Sequence, residues 1–341
     1  MVHSERCQRR AILTTKKNSA LHAIVVLPPG LGGQIRDKSL RRWLSKGQLN
    51  QQPGTDELLY SVADLLGHDA REDGLAALHF WGQTGERSAS WMAVADPVHL
   101  EARLDHLFLH DLRGEMMPMS DLRPIFDFLQ TTFGSDSVGF ARLGHQGYLR
   151  GEQELATASV SARAIDGLRP DEFMPKQDVD DNADEHHRLL SEIQMALHEH
   201  EVNISRVAAG LPEVNSLWLW GGGKAPEVVA NPIFPLFGGD SLFKGFWLSR
   251  TGIVEDWSGN FDACIKLAVR GFVAIMPDPG AGQTDTVDSY LRQLKGLLST
   301  GKIGRLTLLF RDGLRAELKA IDARCFWRRE SPLLTAARET Q

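Results

Sequence analysis

The sequence predicts an α/β fold: a mostly parallel sheet with helices on both faces, plus a smaller α+β domain inserted into it. Two observations predict this. Four short apolar runs each stop in a Gly- or Pro-rich loop and are separated by helical stretches, the pattern of strands buried on both faces. Between them, the chain from about Asp96 to Asp184 changes to short strand-like runs around one amphipathic helix, without long parallel crossovers.

The first run is Leu21–Leu27 (LHAIVVL), apolar and β-branched, stopped by Pro28-Pro29-Gly30. The others are Ser216–Trp220 before Gly221–Gly223, Gly271–Met276 before Pro277-Asp278-Pro279-Gly280, and Leu306–Phe310 before Arg311-Asp312-Gly313. In parallel sheets ligands gather at the carboxyl ends of strands, so these four loops are where chemistry is expected. Within the middle region, Ala93–Leu100 and Leu104–His110 read as strands and Leu122–Phe133 as a helix. Val138–Leu143 and Gly147–Arg150 read as a hairpin, and a helix runs from Asp184 to about His200. The division expected is a polar extension over 1–18, a core over 19–95 and 201–341, and an insert over 96–200.

Composition is that of an ordinary globular chain: 341 residues, 42% hydrophobic and 24% charged. A net charge of −6 argues against a nucleic-acid surface, which needs a basic face. One basic run, Arg36–Lys46, holds five Lys or Arg in eleven residues and reads as a solvated helix face. Cys7, Cys264 and Cys325 are far apart and odd in number, which supports neither a disulfide framework nor a zinc knuckle. No apolar run is long enough to span a bilayer. A cytoplasmic protein with no membrane and no nucleic-acid partner is expected.

The densest polar cluster is Glu192–Lys224. His198 and His200, two residues apart, do not share a helix face and make a poor metal pair. They read more simply as helix-end hydrogen-bonding groups. Asn203, Arg206 and Asn215 offer donors to an oxyanion without a metal. Lys224 and Lys244 flank Gly221–Gly223 and Gly238-Gly239, where free N–H groups beside a cation would make an anion site. The sharp expectation is that Arg206 and Lys224 converge on one cleft for a phosphate or carboxylate. The plain one is that the glycines turn the chain and Arg206 forms a structural ion pair. Phosphate-loop, dinucleotide, GxSxG and HExxH motifs are absent.

The segments His198–Lys224 (HEHEVNISRVAAGLPEVNSLWLWGGGK) and Phe237–Trp257 (FGGDSLFKGFWLSRTGIVEDW) resemble the archaeal-type cofactor-independent phosphoglycerate mutases. Ala95–Asp111 resembles the opening of that family's inserted domain. The strings ADPVHL, SEIQM and VNSLWLWGGG resemble a bacterial branch labelled RpfE-type regulatory proteins. The resemblance implies an alkaline-phosphatase-like core, two divalent metals (manganese or zinc) and a serine nucleophile. The sequence departs from that pattern where the metals belong. Pro28 stands where the family has a metal-binding aspartate, Gly282 where it has a histidine, and Gly313 where an Asp-His pair ends the last strand. Asp278 and Asp312 remain as residual acidic positions, and Thr55 is the nearest candidate nucleophile. Losing three ligands from separate strands abolishes a two-metal centre.

The expectation is therefore a catalytically degenerate, phosphoglycerate-mutase-like protein with a binding or regulatory role and no metal cofactor. Its partners would be a small phosphorylated or carboxylate ligand and an unidentified protein. The alternatives are an active phosphomutase or phosphohydrolase with rearranged ligands, drawing on Asp285, Asp288 or His68, and an enzyme of other chemistry using Asp96, His99, Glu192, His198 and Arg206.

Overall fold

A computed structural model describes residues 21–51, 57–71, 74–176, 179, 180, 182–231, 233–277, 286–324 and 329–335. The expected extension over 1–18, Thr55, Cys325 and the segment holding Asp278, Gly282 and Asp285 lie outside the described residues. In chain order the elements are β1 (His22–Leu27), α1 (Lys38–Leu44), β2 (Gln48–Gln51), α2 (Leu58–Leu66), α3 (Leu75–Thr84), β3 (Trp91–Arg103) and β4 (His106–Asp111). Then come α4 (Met119–Phe133), β5 (Val138–Leu143), β6 (Gln146–Gly151), α5 (Ala183–Leu197), α6 (Glu201–Ala208) and β7 (Ser216–Gly223). The last are β8 (Leu236–Phe237), α7 (Ser241–Ser249), β9 (Val254–Glu255), α8 (Asp262–Leu267), β10 (Gly271–Ile275), α9 (Thr286–Ser299), β11 (Arg305–Phe310) and β12 (Leu314–Lys319).

The chain forms two compact units. One comprises Met1–Gln52, Ile233–Gly239 and Ile253–Gln341, the other Pro53–Pro232 and Asp240–Gly252. The first holds a seven-stranded sheet in the order β2-β12-β11-β1-β10-β8-β9. β1 lies parallel to both β10 and β11, β8 parallel to β10 and β9, and β12 runs against the others, antiparallel to both β11 and β2. The two runs that the sequence places in one sheet, some 280 residues apart, thus pair directly, Ile24 opposite Thr307. Ala23, Val25 and Leu27 join Phe272, Ala274, Leu306, Leu308 and Phe310 in a core closed by α1, α8 and α9. Ile24, Val26, Val273 and Leu309, on the alternate face of the strands, are buried as well. That double burial is why these strands carry unbroken apolar sequence. In α9 the buried positions Val287, Tyr290, Leu291, Leu294 and Leu298 follow helical spacing, so one stripe meets the sheet.

The second unit is built on β3. β4 and β6 pair along one edge of it, β7 along the other, all antiparallel, and β5 pairs with β6. The alternation along β3 sorts its residues. Trp91, Ala93 and Ala95 face a core with Leu122, Ile125 and Leu129 of α4 and Leu190, Ile193 and Leu197 of α5. Across the second unit α3 packs on β3 and β7 and against α7.

Two readings are corrected here. Ser216–Trp220 is not a strand of the parallel sheet; it is β7, antiparallel to β3. β7 is buried along Ser216–Trp220, so its sequence looks like that of a parallel core strand. The expected boundary at residue 96 falls inside β3, and the compact units divide elsewhere.

The α3–α7 contact depends on two glycines. A Cβ at Gly82 would sit 1.8 Å from the carbonyl oxygen of Ser241, and one at Gly245 would sit 1.8 Å from that of Leu78. Each helix backbone thus lies directly on the other. Gly245→Ala is expected to lower unfolding stability by about 3 kcal/mol through forced separation of the helices. Gly296, inside α9 with nothing within 4 Å of its added Cβ, should show the opposite sign. There, Gly296→Ala should stabilise by about 0.5–1 kcal/mol. Urea midpoints of the two variants check both signs.

Candidate functional site

In the first unit the expected locus is the carboxyl ends of β1, β10 and β11. β1 runs into Pro28-Pro29-Gly30, and β11 turns straight back into β12 through Arg311-Asp312-Gly313. Gly313 donates to the Phe310 carbonyl at 3.0 Å and has φ 83°, the left-handed residue that closes a three-residue hairpin loop. A histidine at that place would be strained. Asp312 Oδ2 accepts from the N–H groups of both Gly30 and Leu31 at 2.6 Å, and Oδ1 from Leu314 at 3.3 Å. Gly30 lies so close to Phe310 that an added Cβ would stand 2.6 Å from its ring. Arg311 Nη2 donates to the Met276 carbonyl at 3.3 Å, placing a cation beside the end of β10.

Among the described residues, this donor set does not make a centre for two divalent metals. Three of the roughly four acceptor positions of the Asp312 carboxylate are taken by backbone N–H groups. Pro28 and Gly313 have no ligating side chain, and Arg311 adds positive charge. Among the described residues no group of three or more His, Cys, Asp or Glu is placed to hold a metal ion. Asp288 instead accepts the N–H of Asp37, the N-cap of α1, at 2.9 Å.

In the second unit the alternate face of β3 carries a buried carboxylate. Asp96 is wholly buried. It accepts from Trp220 Nε1 at 2.7 Å and Gln146 Nε2 at 2.9 Å, and Arg113 lies 3.5 Å away. Burial pushes its carboxyl above the ordinary range, against the pull of Arg113. Burial likewise pushes Glu57 up, with Arg113 and Ser161 opposing. His79 bonds through Nδ1 to the Tyr148 hydroxyl, which donates to Gln83 Oε1 at 2.8 Å. Burial lowers His79 to about 4, so it is neutral at pH 7. With three donors around Asp96, its first use is to hold β3, β7 and the start of β6 together.

The structure scatters the other expected site residues. Arg206 is buried, donating to Asp121 Oδ2 at 2.8 Å and the Pro212 carbonyl at 2.8 Å. It ties α6 to α4 and to the approach to β7. Lys224 follows the far end of β7 and pairs with Glu154 at 3.2 Å on the surface. The eight-residue strand between them spans about 25 Å, so Arg206 and Lys224 do not share a cleft. The structural ion pair is the reading that holds for Arg206. Gly221–Gly223 continue β7 rather than form a loop, and Gly222 N–H donates to Thr157 at 3.1 Å. Gly238 N–H bonds to the Glu255 carbonyl, so neither glycine turn offers the free cradle expected beside Lys224 and Lys244. Lys244 lies half-buried on α7.

Asn203 is buried between the Leu197 and Val214 carbonyls and accepts the Val214 N–H at 2.8 Å, a purely structural role. His200 caps α6 by accepting the Val202 N–H at 3.3 Å, and His198 ends α5. Glu192 pairs with Arg188 on the surface. Asn215 bonds both backbone groups of Leu100, at 2.7 and 2.9 Å, while His99 meets the Glu213 carbonyl at 3.0 Å. His198 and Asn215 share a depression of about 490 Å³. Sequence reasoning missed Glu57, His79, Arg113 and Tyr148. No local motif joins them; only the even-numbered register of β3 around Asp96 pointed that way.

Removing the Asp312 carboxylate should loosen the β1 loop. Asp312→Ala is expected to lower stability by about 2–4 kcal/mol, and Asp312→Asn by less, since charged acceptors contribute most. An unchanged urea midpoint in Asp312→Ala would contradict these bonds.

A second expectation concerns acid. His186 on α5 is 1% exposed, and burial lowers it to about 4, against the raising effect of the Ala156 backbone. An unfolded histidine titrates near 6.5, so as pH falls the unfolded chain takes the proton first. The stabilising difference is complete above about pH 6.5 and is lost by about pH 4. His186→Leu should therefore lose about 1–2 kcal/mol less than the parent between pH 7 and 5. Urea titrations at the two pH values measure this difference.

No protein-family model matches the sequence, and no curated protein matches it. Solved structures do. A cofactor-independent phosphoglycerate mutase from Thermoplasma acidophilum DSM 1728 is similar over 87% of this chain and 89% of its own, with 18% identity and a TM-score of 0.40. The PH0037 protein from Pyrococcus horikoshii is similar over 87% of each chain, with 13% identity and a TM-score of 0.48.

Proposed function

We propose that this chain is a phosphoglycerate-mutase-like protein of the RpfE-type branch that acts by binding a small phosphorylated ligand rather than by turning it over. The observation that supports this most directly is the use of Asp312. It is the acidic side chain of the turn after β11, and its carboxylate is taken up by three backbone N–H groups, those of Gly30 and Leu31 in the loop after β1 and that of Leu314 at the start of β12. A two-metal phosphoryl transfer needs carboxylate and imidazole ligands converging from several strand ends. Pro28 and Gly313 cannot supply them. On this reading neither manganese nor zinc is required.

The test is a turnover assay on the purified chain. With 2- or 3-phosphoglycerate and manganese, zinc, magnesium or cobalt supplied in turn, interconversion should match the rate without protein. Robust metal-dependent interconversion, lost in Asp312→Asn, would overturn the reading and make Asp312 a ligand.

A further inference from the structure

The basic run of the first unit does more than solvate a helix. Lys38, Arg42 and Lys46 fall four residues apart, so α1 and the residue after its cap present them on one face. Like charges at this spacing repel, and a merely solvated helix gains nothing from the arrangement. The fold then adds to it. α9 brings Lys295, and the last residue of β12 is Lys319; with the three from the α1 segment they line one groove of about 550 Å³. Among the described residues no carboxylate lines it.

The neighbouring charges show that this excess is selective. On the same helices Arg41 pairs with Glu330 at 2.5 Å and Arg292 with Asp37 at 3.2 Å. Asp37 is further held by the Ser39 N–H, and Asp322, near Lys319, accepts that residue's backbone N–H at 2.8 Å. Lys38, Arg42, Lys295 and Lys319 have no ion-pair partner among the described residues. The protein as a whole carries a net charge of −6, so five converging cations run against its composition.

The remaining lining completes a ligand site. Ser39 supplies a hydroxyl group, and Trp43 and Leu298, both nearly buried, supply an apolar floor. We infer that this groove binds a nucleoside di- or triphosphate: adjacent phosphates meet the cations and the Ser39 hydroxyl, and the nucleoside lies toward the Trp43–Leu298 floor. Two or more phosphates match the four cations Lys38, Arg42, Lys295 and Lys319 better than one, because each can make a charge-assisted hydrogen bond to a separate oxygen. The volume is that of a small-molecule site rather than an extended surface. The inference rests on this groove and not on the loss of mutase chemistry, which an active enzyme with the same groove would also allow.

Calorimetric titration of the full chain tests it, without added metal, using ADP, ATP, AMP and inorganic tripolyphosphate. ADP and ATP should bind saturably, and ATP at least about tenfold more tightly than AMP. Raising salt from about 50 mM to about 300 mM should weaken binding severalfold, as screened charges require. Arg42→Gln and Lys295→Gln should each weaken ATP at least about fivefold. Lys266→Gln, an equal charge change on exposed α8, should leave it unaltered. Tripolyphosphate binding as tightly as ATP would overturn the nucleoside part. Absence of saturable binding, equal effects of Arg42→Gln and Lys266→Gln, or preference for single-stranded nucleic acid or anionic vesicles over ATP would overturn the site. Circular dichroism of each variant checks that it is folded; Arg42 is exposed and Lys295 half-exposed, so neither change removes core packing.

Discussion

The first unit turns on one carboxylate. Asp312 sits in the tight loop between β11 and β12 and accepts N–H groups from the loop that leaves β1, which lies beside β11. Those N–H groups follow two prolines and have no strand partner, so without Asp312 they would need water in a crowded place. Phe310 against Gly30, and the left-handed Gly313, then follow from the same close approach of two loops. Pro28 and Gly313, which look like missing ligands, are thus residues that this geometry needs. Proline stiffens the exit of β1, and glycine permits both the hairpin turn and the contact of Gly30 with the aromatic ring.

The second unit solves a different problem, the burial of polar groups on the alternate face of β3. Asp96, Trp220, Gln146 and Arg113 satisfy one another, and His79 and Tyr148 do so beside them. Such a network fixes strand register, because each member has one place where its partners lie within reach. It also makes the protein acid-sensitive. His79 and His186 are both held neutral by burial, as is His22 in the first unit, and each must resist protonation for the fold to persist.

Much of the fold is legible in the sequence where local pattern suffices. β1, β10 and β11 announce themselves as β-branched apolar runs cut by Pro or Gly, and the Leu122–Phe133 face marks α4. β7 shows the limit of that reasoning: Ser216–Trp220 has the same apolar signature but belongs to an antiparallel sheet. Burial is visible in such a run, whereas the partner strand is not. The candidate site was legible only in part. Asp312 was identified as a residual acid, yet its bonds to residues 30 and 31 join positions about 280 apart. Arg206 and Asn203 stood out as polar residues in a family-like segment. Their roles as buried braces depend on Asp121 and Val214, which no spacing rule links to them. The basic groove is half visible, since Lys38, Arg42 and Lys46 are local, while Lys295 and Lys319 arrive only through packing.

The central claim is that the strand-end carboxylate is structural and not a metal ligand. Equilibrium dialysis of the purified chain against manganese and against zinc, with bound metal counted per chain, tests it most directly. The account predicts no stoichiometric uptake of either ion at micromolar free concentration, with Asp312→Asn indistinguishable from the parent. Two equivalents held by the parent and released by that single change would contradict it.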